Sequence, residues 1–245
     1  MTIPRGATRT SPLSEPDVVE ILRSAAIFAE LPDDALARLA ARCVRRTYGR
    51  NQFLWYQGDD GAHLIVVASG LVKVVLSSPQ GGEVVLTTLG PGEISGELAV
   101  LDGSPRSASV VAAEPTTVLL LTRATVLDML NRYPSVLDAL LRSLGNLIRR
   151  ITEQAGDFVF LDLGGRVAKL LLHLAEAHGA GSTVLDLRLT QSDLAAMVGA
   201  TRPAVNRVLQ HLAGRGVIEV DGQRIVLVNL AELRRRATGN TRGAM

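Results

Sequence analysis

The stretch GELAVLDGSPRSA, residues 96–108, decides how the rest of this chain is interpreted. It consists mainly of small and apolar residues, yet it carries a carboxylate at Glu97 and a guanidinium at Arg106. A surface loop would be more polar throughout, and a strand in a protein core would carry neither charge. The pattern therefore indicates that the two charged groups have a specific partner.

The chemistry of these two groups suits different parts of one ligand. Backbone N–H groups at the start of the stretch can receive an anion where Gly96 allows a close approach. The turn at residues 102–105 would fold Arg106 back over those amides, where its planar guanidinium suits a phosphate and Ser107 adds a hydroxyl donor. Glu97 only accepts hydrogen bonds, so it suits hydroxyl groups such as a ribose edge. A partly buried Glu97–Arg106 ion pair without any ligand is the alternative.

Short strands surround this stretch. Between residues 47 and 122, β-branched runs such as HLIVVASG and EVVLTTLG recur and are separated by Gly, Pro, Ser and Asp. Many short strands with evenly spaced turns predict an antiparallel barrel or jelly roll. Apolar residues at helical spacing predict two helices between residues 17 and 46, with Pro32 opening the second.

The composition of the 245 residues excludes several classes of protein. Hydrophobic residues at 47% and charged residues at 20% are typical of a globular chain with a sizeable core, and the net charge of +2 permits a nucleic-acid partner. Cys43 is the only cysteine, which excludes an internal disulfide, a four-cysteine iron–sulfur cluster and a cysteine-built zinc site. The four histidines show no ligand spacing, so no metal is expected.

The sequence contains no evident membrane or export signal. Its apolar runs all fall short of the about 18 residues that a membrane span needs. The first residues, MTIPRGATRTSPLSEP, lack the apolar region of a signal peptide. We therefore expect a cytoplasmic protein with no membrane partner.

A long helix is predicted after the strands. Its apolar residues are spaced alternately four and three apart, and this heptad pattern predicts a partner helix. A second copy of the same chain is the simplest partner. A helix that packs only on its own barrel is the alternative, although polar residues beside the seam favour pairing. The predicted residues of the dimer interface are Leu137, Leu141, Leu144, Ile148, Ile151, Ala155 and Phe158.

A second informative stretch, LTQSDLAAMVGATRPAVNRVLQHLAGRG, begins at residue 189. Thr190 and Asp193 form a capping-box start for one short helix. Gly199 allows a turn, and Thr201 is expected to cap a second helix. Two short helices hinged on a glycine are typical of a helix-turn-helix.

The residues around this motif favour DNA binding. VIEVDGQRIVLV, residues 217–228, predicts a hairpin that would form a wing. An ordinary helical hairpin in a core is the alternative, but Arg202, Asn206 and Arg207 all lie off the apolar face of the second helix. The C-terminal stretch ELRRRATGNTRGAM, residues 232–245, is basic and is expected to be loose.

GELAVLDGSPRSA closely resembles the phosphate-binding cassette of cyclic-nucleotide-binding domains. Together with the heptad helix, the stretch FLDLGGRVAKLLLHLA and the helix-turn-helix, it makes the chain resemble the bacterial cyclic-AMP receptor protein family of transcription regulators over residues 20–235. The resemblance implies an α+β fold. An antiparallel β-roll or jelly-roll sensor domain would precede a long dimerisation helix and a C-terminal winged helix-turn-helix.

The same resemblance assigns roles in the cassette. Glu97 would meet the ribose 2′-hydroxyl, while Arg106 and Ser107 would meet the cyclic phosphate. The family's long helix offers a Thr-Ser pair to the adenine, and Ile151 and Thr152 stand there in this chain, so one of the two hydroxyls is lost. The implied ligand-binding residues are Gly96, Glu97, Leu98, Ala99, Arg106, Ser107, Ala108 and Thr152.

Roles in DNA binding follow from the resemblance in the same way. Arg202 and Arg207 would each bracket O6 and N7 of a guanine. Pro203 stands where the family has a glutamate that accepts a hydrogen bond from cytosine. Residues at the helix starts can grip phosphates. The implied DNA-binding residues are Gln191, Ser192, Thr201, Arg202, Pro203, Asn206 and Arg207.

The expected function is a homodimeric transcription regulator in which a cyclic nucleotide, cyclic AMP first, favours the DNA-binding state. Its partners would be duplex DNA with an inverted repeat and RNA polymerase. The alternatives are a regulator of the same fold that senses cyclic GMP, cyclic di-GMP, haem or redox state, or one that is active without a ligand. An enzyme is not expected, because no nucleophile is paired with a base. The expected regions are a disordered tail (1–16), a cyclic-nucleotide-binding β-roll domain (17–133), a dimerisation helix and hinge (134–160), a winged helix-turn-helix domain (161–236) and a loose tail (237–245).

Overall fold

A computed structural model of the chain describes residues 15–78, 82–177, 183–186, 189–222 and 224–239. The chain divides into two units, residues 1–147 and 148–245. The boundary between the units lies within a single long helix, whereas the sequence placed its boundaries at the two ends of that helix.

Two short helices open the first unit, α1 (Glu15–Ser24) and α2 (Asp33–Ala40). Pro32 occupies the N-cap position of α2, and the first turn carries two aspartates, whose negative charge favours a helix N-terminus. Helix α1 includes Glu15 and Pro16, so the prediction of a tail over residues 1–16 is wrong at its end. Proline is tolerated in a first helical turn because the N–H that it lacks has no partner there. Residues 1–14 lie outside the described part.

Two four-stranded antiparallel sheets form the body of the first unit. Strand order is β1-β8-β3-β6 in one sheet and β2-β7-β4-β5 in the other, so strands distant in sequence lie side by side. This arrangement confirms the predicted β-roll. The strands are β1 (Val44–Tyr48), β2 (Phe53–Trp55), β3 (His63–Ser69), β4 (Val72–Ser77), β5 (Glu83–Leu89), β6 (Ile94–Ser95), β7 (Ser109–Ala112) and β8 (Thr116–Thr122).

Three helices complete this part of the chain. The short helix α3 (Glu97–Asp102) follows β6, and α4 (Arg123–Arg132) follows β8. Thr122 caps α4, since its side chain accepts a hydrogen bond from the backbone N–H of Thr125. The long helix α5 runs over Pro134–Phe160, the range in which the sequence predicted the dimerisation helix and hinge.

Helix α5 carries two different apolar faces. Val136, Ala139 and Leu140 are buried in the core that α1, α2 and the strands form, and Leu144 is half-buried against that core. The other predicted interface residues are exposed, including Ile148 at 65%. The helix therefore packs on its own unit over its first turns, as the alternative interpretation required. It also presents a seam of exposed apolar residues, which is a candidate interaction surface.

The described residues of the second unit form the end of α5, four further helices and a small sheet. The strand order of this sheet is β10-β11-β9. The hairpin of β10 and β11 was predicted, but the pairing of β11 with a third strand was not. The elements are α6 (Leu163–Ala177), β9 (Val184–Asp186), α7 (Gln191–Met197), α8 (Arg202–Gly214), β10 (Ile218–Asp221), β11 (Arg224–Leu227) and α9 (Leu230–Ala237).

Helix α9 corrects the prediction that the basic C-terminal stretch is loose. Asn229 caps this helix by accepting a hydrogen bond from the N–H of Glu232, and Leu233 is fully buried. The Glu232 carboxylate also accepts a hydrogen bond from Nε of Arg236, 2.8 Å away. Burial of one leucine and local ion pairing therefore order residues that look like a solvated basic tail in the sequence. The helix ends at Ala237, and residues 240–245 lie outside the described part.

Candidate functional site

Arg106 is the centre of the cassette. Its side chain is only 5% exposed. Nη2 donates a hydrogen bond to the carbonyl of His63 at 2.6 Å, and Nη1 donates to the carbonyl of Gly96 at 3.3 Å. Its backbone N–H donates to the backbone carbonyl of Asp59 at 2.8 Å. Its own carbonyl accepts from the N–H of Gly58 at 2.9 Å. The start of β3, the loop after β2 and the cassette therefore converge on this one arginine.

The aromatic ring of Trp55 packs against the guanidinium of Arg106. The guanidinium carbon lies 4.0 Å from the centroid of the Trp55 ring. The indole N–H donates to the carbonyl of Ala108 at 3.0 Å, in a buried hydrogen bond. The sequence did not predict a role for this residue, which lies 51 positions before Arg106. The only available signal was that Trp55 is the sole tryptophan of the chain.

The electrostatics of Arg106 suit an anionic ligand. Burial lowers the pKa of the Arg106 guanidinium to about 10, while the charges of Glu97 and Asp59 act in the opposite direction. The group therefore remains charged at neutral pH. Its Nε atom is buried and has no hydrogen-bond partner. A buried cationic donor without a partner is costly, and a phosphate oxygen would remove that cost.

The other predicted cassette residues lie around this arginine. Gly96 has φ = +93°, and a Cβ atom there would collide with Nη1 of Arg106, so only glycine fits. Glu97 begins α3 and is half-buried, while Leu98 and Ser107 are exposed. Ala99 and Ala108 are buried. Of the predicted cassette residues, the structure brings Gly96 into contact with the Arg106 guanidinium and places the charge of Glu97 close enough to act on it. The aromatic support and the His63 carbonyl were not predicted.

The residue pair expected to read the base lies on α5 in the second unit. Thr152 is exposed, and its hydroxyl donates to the carbonyl of Ile148 at 2.9 Å. The hydroxyl proton is therefore used within the helix, and the oxygen remains an acceptor. Ile151 beside it is 49% exposed and offers no polar atom.

Helices α7 and α8 form the predicted helix-turn-helix. Thr190 and Asp193 make the reciprocal capping box at the start of α7. Gly199 has φ = +61° in the turn between the helices. The buried face of α8 consists of Val205, Leu209 and Leu212. Thr201 stands at the N-cap position of α8, but its side chain makes no capping hydrogen bond, so the predicted cap is wrong in that detail.

The exposed side of α8 carries the predicted DNA-reading groups. Arg202, Pro203 and Arg207 are exposed, and Asn206 is half-buried. A groove of about 440 Å³ between the two helices and the β10–β11 wing is lined in part by Gln191, Ser192, Arg202, Val220 and Gly222. Three of the predicted DNA-binding residues therefore share one concave surface with the wing.

Neither a metal cluster nor a membrane helix was found in the described part of the chain. No group of three or more His, Cys, Asp or Glu side chains there is arranged to hold a metal ion. None of the helices described is long and apolar enough to cross a bilayer.

Two known domain families match the chain in succession. The cyclic nucleotide-binding domain matches residues 45–133, and the Crp-like helix-turn-helix domain matches residues 165–236. A CRP-like cAMP-activated global transcriptional regulator of Mycobacterium tuberculosis is 33% identical over 221 residues, which are 89% of this chain and 99% of the relative. This chain belongs to the CRP family of transcription regulators.

Other members of the CRP family and its solved structures agree with this assignment. The cyclic AMP receptor protein of Thermus thermophilus is 34% identical over 81% of this chain and 90% of its own length. The structure of the c-di-GMP-responsive global regulator CLP of Xanthomonas campestris has a TM-score of 0.71 at 24% identity, covering 80% of this chain and 99% of that one. That level of identity shows the shared CRP-family fold alone.

Proposed function

We propose that this protein is a homodimeric transcription regulator whose DNA affinity is controlled by a cyclic nucleotide, with cyclic AMP as the effector. The observation that carries the proposal is the buried Arg106 guanidinium with its unpartnered Nε. A cyclic phosphate supplies an acceptor oxygen for Nε and a negative charge directly beside the guanidinium. Glu97, which opens the helix beside it, supplies an acceptor for the ribose 2′-hydroxyl.

The chemistry of Thr152 supports adenine as the base. Because its hydroxyl proton is donated to Ile148, the oxygen offers an acceptor to a ligand. The exocyclic amino group of adenine donates a hydrogen bond, whereas guanine presents an oxygen acceptor at the corresponding ring position. Similarity to the cAMP-activated regulator of Mycobacterium tuberculosis and to the cyclic AMP receptor protein of Thermus thermophilus also supports cyclic AMP as the effector.

The exposed residues of α8 support sequence-specific DNA binding. Arg202 lies in the first turn and Arg207 lies more than one turn later, so both can reach base edges in one major groove. In a dimer, the two copies require an inverted repeat with half-sites about 34 Å apart. The proposal includes duplex DNA and RNA polymerase as partners and the cytoplasm as the location.

The proposed mechanism is differential binding of the nucleotide to two states of the dimer. A ligand shifts such an equilibrium only by the difference between its affinities for the two states. The coupling expected for this type of regulation is about 1–3 kcal/mol. The segment from Phe160 to Asp162, which joins α5 to α6, is the proposed hinge.

A different effector is the second candidate. Ile151 removes one of the two hydroxyls that the family offers to adenine, and the solved structural neighbour CLP is described as responsive to c-di-GMP. A redox role for Cys43 is less favoured, because burial raises the pKa of its thiol to about 12 and so suppresses the reactive thiolate.

Calorimetry of the purified protein against cyclic AMP, cyclic GMP and cyclic di-GMP tests the proposal. We expect binding of cyclic AMP, and loss of that binding in Arg106→Leu, since losing a charge-assisted phosphate contact costs about 1.5–3 kcal/mol or more. Arg123→Leu is the matched control, because Arg123 is exposed and donates to the carbonyl of Leu101 at 3.3 Å. Native-like binding by a folded Arg106→Leu dimer would refute the proposed clamp. DNA binding that is equally tight without nucleotide would refute the effector role.

A further inference from the structure

We infer that Trp55 is a positioning residue that holds Arg106 ready for the phosphate. This inference rests on the proposed nucleotide-binding function and adds a residue to it. Trp55 ends β2 and is 8% exposed, so its ring is fixed within the core of the first unit.

The first observation is the contact between the indole face and the guanidinium. The Arg106 carbon Cζ lies 4.0 Å from the centroid of the Trp55 ring, and Arg106 is 5% exposed. Tryptophan is the aromatic side chain that attracts a cation most strongly, and the attraction increases when both groups are removed from water. The ring therefore stabilises a charge that burial disfavours.

The second observation concerns which donors of Arg106 are left for a ligand. Two of its nitrogens donate to the backbone carbonyls of His63 and Gly96, and Nε has no partner. A carboxylate in place of the ring would stabilise the cation by accepting hydrogen bonds, and it would compete with a phosphate for the same N–H groups. An aromatic face stabilises the cation without using any N–H donor. The geometry thus preserves the capacity of Arg106 to bind an anion.

The third observation is that Trp55 also fixes the backbone of the cassette. Its indole N–H donates to the carbonyl of Ala108, two residues after Arg106. The loop that follows Trp55 brackets the backbone of Arg106 through Gly58 and Asp59. The Trp55 side chain and the loop that follows it therefore fix both the backbone of the cassette near Arg106 and the orientation of the Arg106 guanidinium. A preorganised arginine loses less conformational entropy when the ligand binds.

Two substitutions of Trp55 separate these contributions. Trp55→Met fills much of the space with an apolar side chain but removes the aromatic face, and Trp55→Phe keeps a ring while removing the N–H donor. We expect Trp55→Met to lower the affinity for cyclic AMP about tenfold. Trp55→Phe keeps an aromatic face, so its affinity should stay within about threefold of the native value. Phe53→Leu is the matched control, because Phe53 lies on the same strand and stacks on Tyr56 with centroids 4.3 Å apart.

Calorimetry gives the affinities, and thermal melts give the stability of each variant. A Trp55→Met variant that binds cyclic AMP like the native protein would overturn the inference and leave the proposed function intact. So would an equal loss of affinity in Phe53→Leu, which would mean that general loosening of the sheet is responsible. A native protein that binds none of the cyclic nucleotides would overturn the proposed function, and with it the positioning role.

The native protein supplies an independent readout if the Trp55 variants do not fold. Trp55 is the only tryptophan, so emission excited beyond the absorption of the tyrosines comes solely from the ring that contacts Arg106. We expect saturating cyclic AMP to change the emission, because the guanidinium above the ring then shares its charge with a phosphate. Emission that stays constant while calorimetry shows full binding would contradict the inference.

Discussion

The ring of Phe158, near the end of the long helix α5, lies directly against Gly199 in the turn of the helix-turn-helix. A methyl group added at Gly199 would lie 2.5 Å from Cε1 of Phe158. The guanidinium of Arg166 lies 5.1 Å from the centroid of the same ring, and Lys169 pairs with Asp157 at 2.8 Å. The end of α5 is thus tied to the turn that orients α8. Phe158, predicted as a seam residue, is 46% exposed and makes this contact within its own chain.

This contact predicts that Phe158→Ala weakens DNA binding without removing the nucleotide site. Without the Phe158 ring the turn at Gly199 loses a packing contact, so the orientation of α8 is less well defined when the protein binds DNA. We expect DNA affinity at saturating cyclic nucleotide to fall about tenfold, which corresponds to about 1.4 kcal/mol. Fluorescence anisotropy with an inverted-repeat duplex measures the change.

Phe160→Ala is the control for this experiment, because Phe160 is on the same helix and is 81% exposed. A Phe158→Ala variant that binds DNA as tightly as Phe160→Ala would show that the contact with Gly199 does not position the recognition helix.

The exposed seam of α5 predicts that Ile148→Glu produces a folded monomer. Two copies of the substitution would place like charges face to face across the two-fold axis of a dimer. Ile148 is preferable to Leu144 for this test, since Leu144 packs partly against the core of its own unit. Sedimentation should show a monomer, and affinity for an inverted repeat should fall with it.

Asn146→Glu adds the same charge two residues earlier, off the seam, and should remain a dimer. If Ile148→Glu also remains a dimer, the assembly surface lies elsewhere and the seam serves another purpose.

The exposed position of Arg202 predicts a defined loss of DNA specificity. Arg202→Ala should cost about 1–3 kcal/mol and relax selection at one guanine in each half-site. Selection from a pool of random duplexes measures this, with Arg215→Ala as a comparison because Arg215 is exposed beyond the end of α8. Uniform weakening at every position of the site would instead assign Arg202 to the DNA backbone.

Pro203 predicts a degenerate base pair in the operator. Its side chain has no acceptor for a cytosine amino group, so the base pair read by the family's glutamate should be weakly specified. The half-site should therefore depart from the TGTGA sequence that the family resemblance implies, and Pro203→Glu should restore it. Recovery of an undiminished TGTGA–TCACA consensus with the native protein would mean that another residue reads this base.

Ile151 predicts that the protein prefers cyclic AMP to cyclic GMP only modestly, and that one substitution at this position increases the preference. Ile151→Thr restores the second hydroxyl beside Thr152 and should increase the ratio of cyclic AMP to cyclic GMP affinity. A single added hydrogen bond is worth about 0.5–1.5 kcal/mol, or up to about tenfold. Ile151→Val is the control, since it shortens the side chain without adding a hydroxyl. An unchanged ratio would place the base away from this helix position.

Local patterns in the sequence were sufficient for much of the architecture. The alternation of short strands and turns predicted the β-roll, and apolar spacing predicted α5 and the helix-turn-helix, because periodicity and capping act between residues close in the chain. The residues of the cassette could be named for the same reason. They occupy one continuous stretch, and Gly96 and Arg106 are only ten positions apart.

Other features depended on contacts between distant parts of the chain. The ring of Trp55 reaches Arg106 only because β2 pairs with β7, and the carbonyl of His63 reaches it only because β3 pairs with β6. Helix α9 forms because Leu233 is buried, although its sequence alone looks like a solvated basic tail. By itself, the sequence determined the β-roll, the long helix α5, the helix-turn-helix and the charged residues of the cassette. Tertiary structure decided that Arg106 is buried on an aromatic ring with its Nε atom unpartnered, because desolvation and cation–π contact arise only when separate strands pack together.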